Sequence, residues 1–197
     1  MRFAKFLALL SLAGLGAYSQ NETTLFGVQF DRSYNEDTYN SGFGINLEGM
    51  FKKRLSVYYS FLYGPMGNDE YYLYSGGGQA ASVYLFNRAI SERKDIGLSI
   101  ILGLFSFILP ESYGYRIPVS TKSQLAFFLA PYGFEFVKNR ETGEEDHNIS
   151  IELGCRYYLA ANKWLYFMPH IGVKKAYNDD GIGGAFGISI MFITSKN

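Results

Sequence analysis

Gly42-Phe-Gly-Ile-Asn-Leu-Glu-Gly-Met-Phe-Lys52 carries a period of two. In an extended chain Phe43, Ile45, Leu47 and Phe51 share one face, while Gly44, Asn46, Glu48 and Met50 share the other, because successive side chains of a strand point to opposite sides. A helix would scatter both sets around its axis. The stretch is therefore a strand with one apolar face and one small or polar face. The same alternation returns in short segments spread from Thr24 to Ile193.

What precedes these segments points to their compartment. Arg2 and Lys5 lead into an apolar run from Phe6 to Ala17, and Ala17-Tyr18-Ser19 puts small residues at both positions that a signal peptidase reads before Gln20. A run of about twelve residues falls short of the roughly twenty that a spanning helix needs. Residues 1–19 are thus expected to be a cleaved signal peptide, and residues 20–197 one exported domain. No Cys stands at the cleavage point to take a lipid, which argues against a lipoprotein.

The chain has 18 basic and 18 acidic residues, and loss of Arg2 and Lys5 with the leader leaves the domain slightly acidic. Nucleic acid does not suit such a surface as a partner. Cys155, the one cysteine, cannot form an internal disulfide and reads as a small hydrophobe on an apolar strand face. Seventeen Tyr and seventeen Phe are a heavy aromatic load, yet the hydrophobic share is an ordinary 48%. A chain that is apolar on alternate residues has average hydropathy, which is how transmembrane barrels escape scans for helices. The longest apolar run, Ile96 to Leu109, contains Gly97, Gly103 and two Ser and is too short to span as a helix.

Nine segments read as strands: Thr24 to Arg32, Gly42 to Lys52, Leu55 to Tyr63, Tyr71 to Phe86, Ile96 to Leu109, Gln124 to Val137, Asn148 to Leu159, Trp164 to Tyr177 and Ile182 to Ile193. A closed transmembrane sheet calls for an even count. Tyr113 to Ser120, alternating but carrying Pro118, brings the expectation to ten. Eight is the alternative, if two of the weaker segments are loop or hairpin extensions. Gly76-Gly77-Gly78 lacks the helix that should follow a phosphate-cradling loop and reads as a bend, bulge or close backbone approach in strand four. Asn178-Asp179-Asp180 with Gly181, Gly183 and Gly184 reads as a tight hairpin turn.

With the N-terminus on the inner side, the outer connections of a ten-strand register carry Glu36, Asp37, Asp69, Glu70, Glu111, Glu141, Glu144, Glu145, Asp146, Asp179 and Asp180. The inner turns carry Lys52, Lys53, Arg54, Arg88, Arg93, Lys94, Lys122 and Lys163. Glu92, Asp95, Lys138 and Arg140 break the segregation, but its trend favours ten strands over nine. Tyr34, Tyr39, Tyr63, Tyr71, Tyr72, Tyr74, Tyr113, Tyr115 and Tyr177 fall toward the outer rim, and Tyr157, Tyr158, Trp164 and Tyr166 toward the inner one, as amphipathic rings do at a headgroup zone. The last strand, Phe186-Gly-Ile188-Ser-Ile190-Met-Phe192, resembles the C-terminal strand recognised by the outer-membrane assembly machinery.

Leader, alternating strands, aromatic girdles and terminal strand together resemble the small outer-membrane β-barrel proteins of Gram-negative bacteria. The resemblance implies an all-β fold, an up-and-down antiparallel transmembrane β-barrel of about ten strands, inserted from the periplasm, with outer-membrane lipid and lipopolysaccharide around it. It implies no activity. In the expected register the lumen receives Gln29, Asp31, Asn46, Glu48, Ser56, Tyr58, Ser60, Arg116, Ser150, Glu152, Arg156, Tyr158, Tyr166, His170 and Lys174. Ionised groups in a low-dielectric interior are costly unless paired, so Glu48 and Glu152 are expected to face Arg156, Arg116 or Lys174, with His170 as a further hydrogen-bond partner. Since eight strands leave room only for side chains, a plugged lumen is the expectation and an open channel the alternative.

Enzymatic barrels exist among omptin-like proteases, outer-membrane phospholipases, and lipid A deacylases and palmitoyltransferases, and each needs a base beside a nucleophile or an acid. The histidines here are His147 and His170. His147, Asp146 and Ser150 can be grouped on paper, but their spacing matches no motif of those families. Glu141, Glu144, Glu145 and Asp146 offer oxygen ligands without the fixed spacing of a calcium loop. The expectation is a barrel without catalytic site, metal or cofactor, with a structural or surface-interaction role through its outer loops toward an extracellular or envelope protein partner. A narrow porin-like conduit is the second reading, and an outer-rim hydrolase the third.

Overall fold

The computed structural model describes residues 23–35, 38–51, 54–66, 71–92, 96–139, 141–177 and 181–196. The leader and the turn at 178–180 read from sequence lie outside these residues. The elements run β1 (Thr23–Asn35), β2 (Thr38–Phe51), β3 (Leu55–Met66), β4 (Tyr71–Gly76), α1 (Gly78–Glu92), α2 (Ile96–Phe107), β5 (Ser112–Pro118), β6 (Ser123–Asn139), β7 (Glu145–Ala160), β8 (Leu165–Ala176) and β9 (Ile182–Lys196).

All pairings are antiparallel, and β1 bonds both β2 and β9, so the sheet closes on itself. The stave between β3 and β6 is made of two pieces. β4 pairs with Phe61 to Met66 of β3 and Phe134 to Asn139 of β6, whereas β5 pairs with Leu55 to Tyr58 and with Gln124 to Leu129. The two pieces run the same way, one above the other, so the described strands build an eight-stave barrel.

Strand alternation sorts the side chains by solvent. Phe43, Ile45, Leu153, Ile171, Val173 and Phe186 point outward and are 51–68% exposed, while Leu25, Asn46, Glu48, Tyr58, Tyr158 and Met168 point inward at 2% or less. Large apolar residues outside with charged ones inside invert a water-soluble protein. The arrangement suits a wall whose outer solvent is hydrocarbon.

Two segments depart from the sequence reading. Of Tyr71 to Phe86 only Tyr71–Gly76 is strand, and Ile96 to Leu109 is helix α2 rather than a strand. Ile100-Ile101-Leu102 and Leu104-Phe105 break the period of two, and a short apolar run without period fits either a buried strand or a buried helix. The expected ten staves give way to the alternative eight. Arg88 therefore sits on α1 instead of an inner turn. Glu111 is no outer loop: its N–H donates to the Tyr58 carbonyl at mid-wall (2.7 Å). Tyr113 and Tyr115 belong to the inner half-stave, where the Tyr115 hydroxyl accepts from Arg54 Nη1 at 2.9 Å.

The helices form a hairpin on the outside of the barrel. α1 leaves mid-wall and packs on β3, β4 and β6, with the Tyr84 ring 5.5, 5.7 and 5.1 Å from those of Phe134, Phe136 and His147 in the outer half. α2 folds back along it, Gly103 against the Phe86 ring, and turns Leu98, Ile101, Leu104 and Phe105 to the exterior. At 15 and 12 residues the helices measure about 22 and 18 Å, and neither is long and apolar enough to cross a membrane. The hairpin begins and ends at mid-wall, where Gly77 and Gly78 approach Glu111 and Ser106.

The glycine run is the root of this hairpin. Gly76, at φ 153°, turns the chain out of the wall. A helix does follow the glycines, contrary to the sequence reading, and they serve close approach: a Cβ on Gly77 would lie 2.5 Å from Glu111 Cα, and one on Gly78 1.7 Å from the Ser106 carbonyl oxygen. Opposite the root, β6 slips register between Ala130 and Gly133, placing Pro131, which has no N–H to give, in a bulge. Gly78→Ala is expected to cost about 1–3 kcal/mol through overpacking, whereas Gly97→Ala, with nothing within 4 Å of the added Cβ, leaves stability unchanged or higher. Urea unfolding of both variants in detergent micelles checks this.

Candidate functional site

The lumen is filled from the inner side upward. Leu25, Ala126, Met168 and Met191 pack with the rings of Tyr58 and Tyr158, and Met50, Tyr166 and Ile193 close around them. Charges and further aromatic rings interleave with this apolar cluster, Glu48 directly across from Leu25 and Arg116 across from Ala126. Arg116 Nη2 lies 2.6 Å from Glu48 Oε1, both side chains at most 2% exposed, and its guanidinium rests 3.8 Å from the centre of the Tyr158 ring. The Tyr158 hydroxyl donates to the same Glu48 oxygen at 2.8 Å. Arg156 is held between the Tyr58 and Phe128 rings at 3.9 and 4.0 Å and donates to Ser112 Oγ at 2.7 Å. Asn46 Nδ2 donates to Gln29 Oε1 (3.0 Å) and Ser189 Oγ (2.9 Å), and the Tyr58 hydroxyl also donates to Gln29.

The outer half is looser and acidic. His170 Nε2 lies 2.9 Å from Asp31 Oδ1, Lys174 bonds Glu135, and Ser60 donates to Glu111. A cavity of about 50 Å³ remains there, bordered by Asp31, Glu111, Glu135, Glu152 and Lys174. Of the residues read from sequence as the lumen network, the structure joins Glu48 to Arg116 and sets Glu152 opposite Lys174 in the β7–β8 register. Arg156 meets rings and a hydroxyl instead of a carboxylate, and His170 meets Asp31.

Glu135 escaped the sequence reading for a definable reason. Ala126, Phe128 and Ala130 face the lumen from even positions, but the bulge at Pro131 moves the inward parity to Gly133 and Glu135. Pro131 inside a strand pattern was the available signal. The strand period also separates the His147 grouping: His147 points outward, its ring tilted against that of Tyr84, while Ser150 faces inward, on the opposite side of the sheet.

A second cavity, of about 570 Å³, lies outside the wall between the hairpin and β1–β3. Phe26, Ile45, Leu47, Tyr59 and Phe61 form its floor, and Val83, Phe107 and Ile108 its other wall. Gln79 ties the two helix ends beside it, donating to the carbonyls of Phe107 (2.7 Å) and Leu109 (3.4 Å).

No protein-family model and no curated protein matches this sequence. Among solved structures, the attachment invasion locus protein Ail of Yersinia pestis, in complex with the heparin analogue sucrose octasulfate, is similar at TM-score 0.50 and 12% identity, over 87% of this chain and 96% of that one. Neisserial surface protein A is similar at 0.50 and 8% identity, over 86% and 95%. The N-terminal β-barrel domain of Pseudomonas aeruginosa OprF gives 0.48 and 6%, over 88% and 100%. At these identities the fold alone is shared, and it is that of the small outer-membrane barrels.

Removing Arg116 takes away the ion-pair partner of the buried Glu48 carboxylate and leaves it the Tyr158 hydroxyl as hydrogen-bond partner. Arg116→Met is expected to destabilise by about 3–5 kcal/mol, and the double variant Glu48→Gln, Arg116→Met to recover at least half of that. A double-mutant cycle on chemical unfolding measures the coupling.

Proposed function

We propose that this chain is a non-enzymatic, non-conducting integral barrel of a Gram-negative outer membrane that works through its surfaces. The observation that carries this reading is the filled inner half of the lumen, where Glu48, Arg116, Tyr58, Tyr158, Arg156 and Met168 are all 3% exposed or less. A barrel closed in this way offers water no continuous path. Chemistry on another molecule must then happen at the rim, in the loops or against the lipid-facing wall. The outward row Phe186, Ile188, Ile190 and Phe192 of β9 supports a role for that strand in recognition by the assembly machinery, and an envelope or extracellular protein would meet the outer loops.

Planar bilayers containing the purified protein are expected to show no discrete conductance steps. Reproducible steps would support the narrow-conduit reading instead. Membrane residence has its own measurement: Ile171, outward-facing and 62% exposed, is expected to cost about 2–4 kcal/mol when changed to Arg. Folding into lipid vesicles reads this cost, and a neutral Ile171→Arg would mean that water and not hydrocarbon surrounds the wall.

A further inference from the structure

We propose that the groove between the helical hairpin and the barrel wall holds one acyl chain of a lipopolysaccharide molecule, whose anionic headgroup meets basic side chains at the outer rim. The inference rests on the outer-membrane reading above and adds a ligand to it. At about 570 Å³ the groove has the size of a ligand site, roughly 300–1,000 Å³. Its lining is apolar on both sides, Phe26, Ile45, Leu47 and Phe61 from the wall, Val83 and Phe107 from the hairpin. It opens onto the lipid-facing surface, for Phe26, Ile45 and Phe107 remain 43%, 53% and 58% exposed. An acyl chain lying there touches protein on two sides instead of one, so it leaves more slowly than a chain on the open wall.

Charge selects the headgroup and the leaflet. The carboxylates Asp31, Glu48, Glu135 and Glu152 take the lumen parity, whereas Arg32 and Lys175 take the outward parity in the outer half, and Lys138 takes it opposite Glu145 in the β6–β7 register. Arg88 adds an exposed cation on α1. Arg32, Lys175 and Arg88 complement phosphates at headgroup height. From Arg32 down to Phe26 is six residues of β1, about 20 Å of strand, or about 15 Å of depth at a tilt near 40°. That equals half of a hydrocarbon core of about 30 Å. A lipid with its phosphates at Arg32 therefore reaches the groove with its chain end. The hairpin climbs into this same half of the membrane, which in a Gram-negative outer membrane is the lipopolysaccharide leaflet.

The test is native mass spectrometry of the full chain extracted from outer membranes in mild detergent, with retained lipid identified by mass. One lipopolysaccharide per barrel is expected on the wild type. Filling the groove with Leu47→Trp and Val83→Trp is expected to lower its occupancy at least tenfold, and Arg32→Ala with Lys175→Ala several-fold. Both sets change outward positions, and heat-modifiable gel migration verifies that each variant is folded. A folded outer-membrane chain that retains phospholipid only, retains no lipid, or keeps lipopolysaccharide with the groove filled overturns this inference alone. A wild-type chain that does not fractionate with the outer membrane overturns the functional reading, and this inference with it.

Discussion

In hydrocarbon no water is present to satisfy a free backbone N–H or C=O, and each unmet group costs several kcal/mol. That constraint governs the structure most sharply where the fourth stave breaks. A 15-residue and a 12-residue helix leave the wall between Gly76 and Ser112, and the ladder must survive their departure. β3 and β6 keep their partners because β5 takes over below the point where β4 stops. At the seam the Glu111 N–H donates to the Tyr58 carbonyl, the Tyr132 hydroxyl to the Pro110 carbonyl (2.6 Å), and Gln79 to the carbonyls at the end of α2. Pro131 stands where the partner strand departs, so no donor is stranded there. The hairpin is thus built into the wall and not hung from it as a loop.

The lumen obeys the same economy of partners with charges in place of backbone groups. Arg116 is matched to Glu48 and both arginines lie over aromatic rings, because a guanidinium out of water needs a carboxylate or a ring face to offset its lost hydration. Apolar side chains interleave with these charges, and toward the outer end carboxylates outnumber cations around a small cavity. Side chains thus fill the inner half of the lumen, and the outer half keeps a small acidic cavity. Around the outer mouth of the lumen, the carboxylates Asp31, Glu135 and Glu152 turn inward with His170 and Lys174 as their basic neighbours.

Alternation made most of the wall legible. Phe43 to Phe51, Ser150 to Tyr158 and Phe186 to Phe192 each keep one parity along a regular strand, and such a strand needs no tertiary information to declare its faces. The reading weakened where regularity ended. Ile96 to Phe107 is apolar on nearly every residue, so period could not separate helix from strand, and a length too short to span a bilayer left room for a segment that enters and turns back. Glu135 was lost because one bulge at Pro131 exchanges the faces of everything after it. His147, Asp146 and Ser150 looked adjacent in sequence, yet the two-residue period puts His147 and Ser150 on opposite sides of the wall.

Local sequence determined that the chain builds amphipathic strands with apolar rows for hydrocarbon and polar rows for an enclosed interior, since strand parity is a property of consecutive residues alone. Which polar groups meet was decided by closure: Glu48 of β2 reaches Arg116 of β5, and Asp31 of β1 reaches His170 of β8, pairs separated by many residues and brought together by the curvature of an eight-stave wall. The helical hairpin and its groove were likewise decided in three dimensions, because a helix apolar on every side gains its place only from the surface it packs against.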